Sequence, residues 1–370
     1  MRWSQCIAAA WYGDRTWIRA LWPLTLAYRG ALRQHRRRGQ VQAQAQIKRH
    51  GRLAAPVVVI GNITAGGTGK TPLLLHLAAR LRSAGIRVGA IARGYGGRAR
   101  HYPHRVCAAD SPQTVGDEPL LIAQYGLPIV IDPDRYAAAK HLLCQTSVDL
   151  ILSDDGLQHH ALPRALEILV VDGQRQFGNG MLLPAGPLRE PLARLHQVDF
   201  CLLNGAPDND DSGDNSGAGD ENDNPLHPEL ARALDGHFHL QPRHWLQLAP
   251  NTQIAIDALP AARTVHAIAA IGNPQRFFAT LASLGLRPHH CHPLADHAPI
   301  SAEHLRRLGA NDPATQILMT TKDAVKCRQT IAAHDWRNCW ALEVGVTMQA
   351  ELENRLLAAI KATLTTRRGT

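Results

Sequence analysis

The sequence has no apolar run long enough to cross a bilayer and no pattern of paired cysteines. Every apolar stretch is shorter than the roughly 18 residues that a spanning helix needs, and the start, MRWSQCIAAAWYGDRTW, lacks the features of a secretory signal. We therefore expect a protein of the cytoplasm. The seven cysteines are scattered, which predicts reduced thiols and argues against a zinc site or a disulfide framework: Cys6, Cys107, Cys144, Cys201, Cys291, Cys327 and Cys339.

Aromatic residues are also few, but their distribution is uneven. They make up 5% of the 370 residues, yet four of the seven tryptophans lie in residues 1–50, at Trp3, Trp11, Trp17 and Trp22. The same segment holds ten Lys or Arg residues and one acid, Asp14, so it accounts for the whole net charge of +9. The remainder of the chain is neutral, and the basic character belongs to an N-terminal attachment.

This attachment has the pattern of an amphipathic helix. Apolar residues recur at helical spacing, at Trp17, Leu21, Leu24, Tyr28 and Leu32, and basic residues lie beside them. Pro23 is predicted to divide the helix into two pieces. We favour docking on a membrane surface, because tryptophan suits the headgroup level and basic residues suit anionic lipid. A helix packed on the body of the protein is the second interpretation. Nucleic-acid binding explains the tryptophans least, so we expect no nucleic-acid partner.

The first half of the remaining sequence predicts an α/β fold. Residues 56–60, PVVVI, are typical of a buried parallel strand, and they are followed by a glycine-rich turn and the amphipathic helix TPLLLHLAARLRSAG. A second apolar strand, IRVGAIA, completes a βαβ unit, and VDLILSDDG and ALEILVVDG repeat the pattern of a strand followed by acids. The predicted fold class is a P-loop NTPase-like parallel sheet with a second, smaller α/β domain and an N-terminal amphipathic docking helix.

Changes in composition suggest where the domains begin and end. The stretch GAPDNDDSGDNSGAGDENDN has almost no apolar residue and is predicted to be a disordered acidic insertion. We expect five segments in chain order: a basic membrane-docking segment at 1–50, a parallel-sheet domain with the glycine-rich turn at 51–204, the insertion at 205–224, a smaller α/β domain at 225–345, and a C-terminal helix at 346–370 that packs back on the core.

The glycine-rich turn Gly61–Thr71, GNITAGGTGKT, predicts an ATP-binding loop. Its backbone N–H groups and the N-terminus of the following helix can bind phosphates. Lys70 can bind the β- and γ-phosphates, and the Thr71 hydroxyl can coordinate Mg²⁺. The strict pattern has glycine where this chain has Thr64. The predicted cofactors are therefore ATP and Mg²⁺, and the loop residues expected to bind nucleotide are Thr64, Ala65, Gly66, Gly67, Thr68, Gly69, Lys70 and Thr71.

Polar residues after other apolar runs extend this site. Asp154 and Asp155 end a predicted strand, where a P-loop enzyme places its metal-binding carboxylate. Because open α/β sheets bind ligands at the carboxyl ends of their strands, other short polar motifs also become candidates: Asp117 and Glu118 in VGDEP, Arg135 in DPDRYAAAK and Arg189 in PAGPLREP.

Together these segments resemble the tetraacyldisaccharide 4'-kinase family. The resemblance covers roughly residues 15–330 and is carried, in order, by GNITAGGTGKTP, ARGYGG, VGDEPLLIA, DPDRYAAA, SDDGLQHH, PAGPLREP, IGNPQRFF, LADHAPI and TTKDAVK. It implies transfer of the γ-phosphoryl of ATP to the 4'-hydroxyl of a tetraacylated glucosamine disaccharide 1-phosphate in lipid A biosynthesis. It also implies a peripheral enzyme at the cytoplasmic face of the bacterial inner membrane, with that glycolipid and the membrane surface as partners.

The resemblance further implies roles for individual residues. Asp117 resembles the general base, assisted by His297 of the Asp296-His297 pair. Lys70, Arg135 and Arg189 resemble the cationic catalytic groups, and Thr71, Asp154 and Asp155 surround the metal. Substrate contacts are implied for Tyr95, Glu118 and Arg189. Two positions depart from the family pattern, which usually has a second histidine at Ala298 and an acid at Thr321.

Two rival functions stay open from the residues themselves. A regulatory GTPase is suggested by TTKDAVK, which mimics a guanine-reading motif with Asp323 as the base reader. A non-enzymatic membrane or nucleic-acid adaptor would use the basic N-terminus and only retain the fold. Preference for ATP over GTP would argue against the first rival, and intact catalysis in detergent after deletion of the N-terminus would argue against the second.

Overall fold

The computed structural model describes residues 3–13, 16–205 and 225–365. Arg2, Asp14, Arg15 and residues 206–224 of the predicted acidic insertion lie outside these ranges, as do residues 366–370. Eleven α-helices occur in the described part of the chain: α1 (Trp3–Trp11), α2 (Trp22–His50), α3 (Lys70–Ser83), α4 (Pro112–Val115), α5 (Asp117–Gln124), α6 (Arg135–Gln145), α7 (Pro228–Ala233), α8 (Pro274–Ser283), α9 (Ala302–Arg307), α10 (Thr321–Ala333) and α11 (Ala350–Thr365).

The same ranges contain thirteen strands. In chain order they are β1 (Val57–Gly61), β2 (Val88–Ala92), β3 (His104–Arg105), β4 (Ile129–Ile131), β5 (Leu150–Asp154), β6 (Leu166–Asp172), β7 (Phe200–Asn204), β8 (Gly236–Gln247), β9 (Thr252–Ile254), β10 (Thr264–Ala269), β11 (His290–Pro293), β12 (Thr315–Thr320) and β13 (Cys339–Met348). Mixed helix and strand content confirms the predicted α/β class.

The chain forms two compact units, and each is discontinuous in sequence. The first comprises residues 1–92, 134–240 and 346–370, and the second comprises residues 93–133 and 241–345. Residues 93–133 thus group with the later α/β segment, whereas the sequence boundaries assigned them to the 51–204 domain. Composition could not indicate this, because 93–133 has the same mixed α/β character as the segments on either side of it.

The first unit is built on a parallel sheet with the strand order β8-β7-β6-β1-β5-β2. The central strand β1 lies between β5 and β6, and Val59 is in register with Ser153 and with Glu167. All five β1 residues are buried. This explains the continuous apolar run PVVVI, since a strand covered on both faces has no solvent side. Helix α3 buries four of its leucines, Leu73, Leu74, Leu77 and Leu81, and it begins at Lys70, near the end of the glycine-rich turn.

The second unit contains parallel strands in the order β11-β10-β12-β13 and the antiparallel pair β3 and β4. The sequence TVHAIAAIGNPQRFFATLASLG has the pattern of a strand, a turn and a helix, and the structure confirms this prediction with β10 and α8. The sequence QILMTTKDAVK predicts a further strand followed by a turn, and only the strand is confirmed. Strand β12 is followed at once by the 13-residue helix α10, capped by the Thr320 side chain, which accepts a hydrogen bond from the Asp323 N–H.

The N-terminal segment packs one face on the first unit and exposes another. A 3₁₀ helix at Thr16–Leu21 precedes α2, and Pro23 lies in the first turn of α2, where proline is tolerated. On the packed face, the His35 side chain is hydrogen bonded to the Gln158 carbonyl, and the Arg36 side chain donates a hydrogen bond to the Gln197 side chain. None of the helices in the described ranges combines the length and the apolar character that crossing a bilayer requires.

Candidate active site

The glycine-rich turn of the first unit has the backbone of a phosphate cradle. Gly66 and Gly69 adopt φ values of 116° and 88°, a conformation that residues with a side chain rarely adopt. A Cβ at Gly69 would also collide with Asn204, whose Nδ2 donates a 2.9 Å hydrogen bond to the Thr68 carbonyl. Among the described residues no side chain caps the start of α3, so its first N–H groups remain available to an anion.

A polar network that we did not assign from the sequence supports this turn. Asn62 Nδ2 donates to the Gly66 carbonyl over 3.2 Å. Gln158 Nε2 in turn lies 2.9 Å from the Asn62 carbonyl and 2.8 Å from Glu190 Oε1. The only sequence signal was that Asn62, Gln158 and Glu190 each belong to a short polar motif that follows an apolar run.

Five of the predicted residues of the first unit are brought together at the end of β5: Lys70, Thr71, Asp154, Asp155 and Arg189. Thr71 Oγ1 donates a 3.3 Å hydrogen bond to Asp154 Oδ2. Lys70 Nζ lies 3.5 Å from one oxygen of Asp155, and Arg189 Nη1 lies 3.0 Å from the other. Because β1 and β5 are neighbours in a parallel sheet, the turn after β1 and the acids that end β5 meet at the same edge.

Asp155 has a lowered pKa and a left-handed backbone conformation. Partial burial by itself raises its pKa, but the positive charges of Lys70 and Arg189 outweigh that effect and lower the pKa to about 2. Its backbone φ of 48° lies in the left-handed region, which is rare for a residue other than glycine. Such backbone strain persists where surrounding contacts impose it, and it concentrates at functional sites.

Arg135 lies in the first unit as the first residue of α6 and is only 5% exposed. Burial, and then the positive charge of Arg135, lower the pKa of His159 to about 4. His159 belongs to the SDDGLQHH segment that carries Asp154 and Asp155. A role for Arg135 near the transferred phosphoryl group stays a prediction.

A second cluster of predicted residues forms in the other unit. Asp117 is the first residue of α5, and its Oδ2 accepts a 2.9 Å hydrogen bond from Nδ1 of His297, 180 residues away in the sequence. Glu118 Oε1 lies 3.8 Å from His297 Nε2, and the Tyr95 ring centroid lies 5.3 Å from that of His297. His297 also has a left-handed φ, of 59°. The structure therefore joins Tyr95, Asp117, Glu118 and His297.

Two lysines of α10 complete this cluster, and we did not identify either from the sequence. Lys322 Nζ lies 2.7 Å from Glu118 Oε1 and 3.2 Å from Asp296 Oδ1. Lys326 Nζ lies 3.7 Å from Asp117 Oδ2. The signal that we missed is their spacing of four residues, which places both on one face of a helix.

The geometry of Asp323 excludes the guanine-reading interpretation. Its side chain is fully buried, and one oxygen accepts from the Ala270 N–H at 3.1 Å and from the Thr320 hydroxyl at 2.7 Å. The other oxygen is 2.8 Å from Lys326 Nζ. A carboxylate occupied in this way holds the start of α10 and Lys326 in place, and it has no capacity to bind a base.

The Asp117–His297 pair predicts a pH-dependent stability. The hydrogen bond to Asp117 raises the pKa of His297 above its ordinary value of 6.5. A raised native pKa contributes stability that is complete below 6.5 and is lost as the pH rises through the native value. We expect His297→Gln to lower the midpoint of thermal unfolding more at pH 6 than at pH 9. The exposed His101 supplies the control His101→Gln, and an equal decrease at both pH values would contradict the prediction.

The fold and the first cluster define a class of protein. A P-loop NTPase-like enzyme has four such parts: a strand, a glycine-rich turn, a Lys-Thr pair that opens a helix, and a carboxylate that ends the adjacent parallel strand. The chain matches the family described as tetraacyldisaccharide-1-P 4'-kinase over residues 17–361. It is 44% identical over 339 residues to tetraacyldisaccharide 4'-kinase of Pseudomonas putida (strain W619), covering 91% of this chain and 90% of that relative.

A second relative supports the same family, and a solved structure has a similar fold. The tetraacyldisaccharide 4'-kinase of Pseudomonas fluorescens (strain SBW25) is 44% identical over 345 residues, covering 93% of this chain and 92% of that relative. The fold is similar to the "apo" form of LpxK from Aquifex aeolicus crystallised with ATP, with a TM-score of 0.68, 22% identity, and coverage of 94% of this chain and 100% of that one. The chain belongs to the tetraacyldisaccharide 4'-kinase family and is an ATP-dependent kinase.

Proposed function

We propose that this kinase transfers the γ-phosphoryl group of ATP to the 4'-hydroxyl of a tetraacylated glucosamine disaccharide 1-phosphate. The observation that carries the proposal is the meeting of Lys70 and Arg189 on Asp155, next to the Thr71–Asp154 hydrogen bond. Two cations and a helix N-terminus converge at the end of the glycine-rich turn, which is the charge pattern that a triphosphate requires. The names of the relatives support the acceptor.

We assign the proton transfer to Asp117. In this assignment Asp117 accepts the proton of the 4'-hydroxyl while that oxygen bonds to the γ-phosphorus. The bond from the γ-phosphorus to the β–γ bridging oxygen breaks, and ADP leaves with that oxygen. His297 orients the carboxylate through the 2.9 Å hydrogen bond, and Lys326 Nζ lies 3.7 Å from the same carboxylate oxygen. Phosphoryl transfer needs little more than such positioning and charge stabilisation.

The cationic residues have complementary roles in this proposal. Lys70 holds the β- and γ-phosphates, and Arg189, already oriented by Asp155, stabilises the charge that spreads over the transferred group. The Asp155 carboxylate keeps both cations in place before nucleotide binds. We propose that Arg135 adds positive charge in the same unit, and that Tyr95, Glu118 and Arg189 contact the glycolipid.

The residues around Thr71 fit a magnesium ion. The Thr71 hydroxyl and the Asp154 carboxylate, 3.3 Å apart, are hard oxygen ligands of the kind that Mg²⁺ prefers, with Asp155 adjacent. Within the described ranges there is no group of three or more His, Cys, Asp or Glu side chains arranged to hold a metal. This agrees with a P-loop site, where one or two protein oxygens suffice because phosphates and water fill the remaining positions. When bound, the ion would neutralise charge on the β- and γ-phosphates.

We propose that the enzyme docks peripherally on the cytoplasmic face of the inner membrane through its N-terminal segment. The large apolar side chains of this segment that are notably exposed are Trp17, Trp22, Leu24, Leu26 and Val41. Arginines with exposed side chains lie among them, at Arg19, Arg29, Arg33, Arg37 and Arg38. Exposed rings beside cationic residues suit an anionic membrane surface.

Replacing Trp17 and Trp22 with alanine is expected to weaken binding to anionic vesicles at least about tenfold, because burying one large apolar side chain is worth about 1.5–3 kcal/mol. Co-sedimentation with vesicles of mixed zwitterionic and anionic lipid measures the effect, and added salt should weaken both proteins. Tyr102→Ala removes an aromatic ring that is 40% exposed in the second unit and serves as the control. Unchanged sedimentation of the double variant would remove the docking proposal.

The phosphoryl transfer itself is tested with purified protein, labelled ATP, Mg²⁺ and a tetraacyldisaccharide 1-phosphate in detergent. We expect a product labelled at the 4' position, no labelled product without the acceptor, and a clear preference for ATP over GTP. Hydrolysis of ATP without transfer to the lipid would overturn the proposed acceptor. A preference for GTP would overturn the assignment as an ATP-dependent enzyme.

A further inference from the structure

The N-terminal segment is hydrogen bonded to both loops that form the phosphate site of the first unit. Tyr12, just after α1, donates its hydroxyl hydrogen to the Ala65 carbonyl in the glycine-rich turn over 3.2 Å. Tyr28, in α2, donates to the Arg189 carbonyl over 3.0 Å. Trp11 Nε1 donates to the Pro184 carbonyl over 3.0 Å, at the start of the loop that carries Arg189.

The two loops are also hydrogen bonded to each other. The Ala65 N–H donates to the Pro187 carbonyl at 2.8 Å, and the Arg189 N–H donates to the Ile63 carbonyl at 2.6 Å. Their charged side chains, Lys70 and Arg189, then meet on Asp155. The turn and the arginine loop are thus one hydrogen-bonded assembly, and Tyr12 and Tyr28 each attach a different half of it to the N-terminal segment.

Both tyrosines are suited to act as permanent donors. The Arg175 guanidinium lies over the face of the Tyr12 ring, 5.2 Å from its centroid, and this cation–π contact helps to hold the ring in place. Burial is the main cause that raises the pKa of Tyr12, to about 12. Burial also raises the pKa of Tyr28. Each hydroxyl therefore keeps its proton at neutral pH.

The position of the acceptor carbonyl explains what Tyr12 contributes. In a trans peptide the C=O of one residue and the N–H of the next point in opposite directions. A hydroxyl that holds the Ala65 carbonyl therefore also fixes the direction of the Gly66 N–H, one of the backbone donors of the phosphate cradle. Gly66, with its φ of 116°, has the backbone freedom to rotate if that restraint is removed.

We infer that Tyr12 and Tyr28 are positioning residues that couple the N-terminal segment to the phosphate site. Tyr12 orients the nucleotide-binding turn, and Tyr28 orients the loop of Arg189. The inference rests on the proposed function in that the turn binds ATP and Arg189 acts on the transferred group. The segment that exposes Trp17 and Trp22 is consequently part of the catalytic framework as well as a surface element.

The test uses two substitutions that keep the ring and remove only the hydroxyl. Loss of one neutral hydrogen bond corresponds to a change of about 2- to 10-fold. We expect Tyr12→Phe to weaken the binding of a non-hydrolysable ATP analogue, measured by calorimetry on the full chain, by about 3- to 10-fold. We expect Tyr28→Phe to leave that affinity within about 2-fold of wild type and to lower kcat by about 3- to 10-fold, because Arg189 acts mainly in the transition state.

Tyr102→Phe is the matched control, because Tyr102 is an exposed tyrosine of the second unit. A merely structural role would lower the unfolding temperature of both variants and reduce ATP affinity and kcat together. That result, or values equal to those of Tyr102→Phe, would overturn the inference. If wild type binds the analogue but does not phosphorylate the lipid, the proposed acceptor fails, while the calorimetric comparison of Tyr12→Phe still decides the role of Tyr12.

Discussion

Asp117→Asn is expected to lower kcat by about 10²- to 10⁴-fold while ATP binds nearly as in wild type. The amide keeps the shape of the side chain and can still accept the hydrogen bond from His297, but it cannot accept a proton. The nucleotide site of the first unit, with Lys70 and Thr71, is unchanged. Steady-state kinetics with the lipid acceptor and calorimetry with an ATP analogue separate the two effects.

A control for Asp117→Asn comes from the same unit. Asp257 is an exposed carboxylate, so Asp257→Asn makes the same chemical change away from the cluster and should retain full activity. The Asp117 assignment would be wrong if Asp117→Asn turned over within about threefold of that control, a factor well below the usual contribution of a general base. Equal losses in kcat and in ATP affinity would point to a structural role.

Lys70→Gln is expected to weaken ATP binding and also to lower kcat, by about 10²- to 10³-fold. Lys70 is the cation of the glycine-rich turn, and its charge acts both on bound ATP and on the transferred group. The substitution removes one of the two cations that lower the pKa of Asp155, and Arg189 then remains alone beside that carboxylate. Calorimetry and kinetics measured as for Asp117→Asn give both values.

Lys140→Gln provides the comparison for Lys70→Gln, because Lys140 is an exposed lysine of the same unit. It should bind ATP and turn over like wild type. ATP affinity unchanged in Lys70→Gln would contradict the assignment of Gly61–Thr71 as the nucleotide loop. The contrast between the two active-site variants is itself informative, since Asp117→Asn should affect only turnover whereas Lys70→Gln should affect both binding and turnover.

The phosphate site was predictable because its parts are local in sequence. Strand β1, the glycine-rich turn and the start of α3 occupy about fifteen consecutive residues, and backbone sterics and helix geometry relate them directly. Asp154 and Asp155 followed from one further rule, that parallel strands present their carboxyl ends at one edge of a sheet. The same rule made Arg189 a candidate, the resemblance to a kinase family implied its role, and the structure brings it to Asp155.

Contacts between distant segments were harder to predict. The hydrogen bond between Asp117 and His297 joins residues 180 positions apart, and only the family resemblance suggested it. Lys322 and Lys326 went unrecognised, because a lysine on a helix is usually a solvated surface charge and nothing local marks these two as partly buried and ion-paired. The anchoring of the glycine-rich turn by Tyr12 was likewise invisible, since a tyrosine in a basic segment gives no sign of its acceptor.

By itself the sequence determined the α/β class, the nucleotide-binding turn, and the basic, tryptophan-rich character of the N-terminus, because each of these depends on residue type and short-range spacing. Only the tertiary structure decided that residues 93–133 belong with 241–345, that Asp323 is a buried support for α10, and that Tyr12 and Tyr28 hold the two loops of the phosphate site. The physical reason is the same in each case. Long-range contacts are selected by packing and by the need to satisfy every buried polar group, and these conditions exist only in the folded chain.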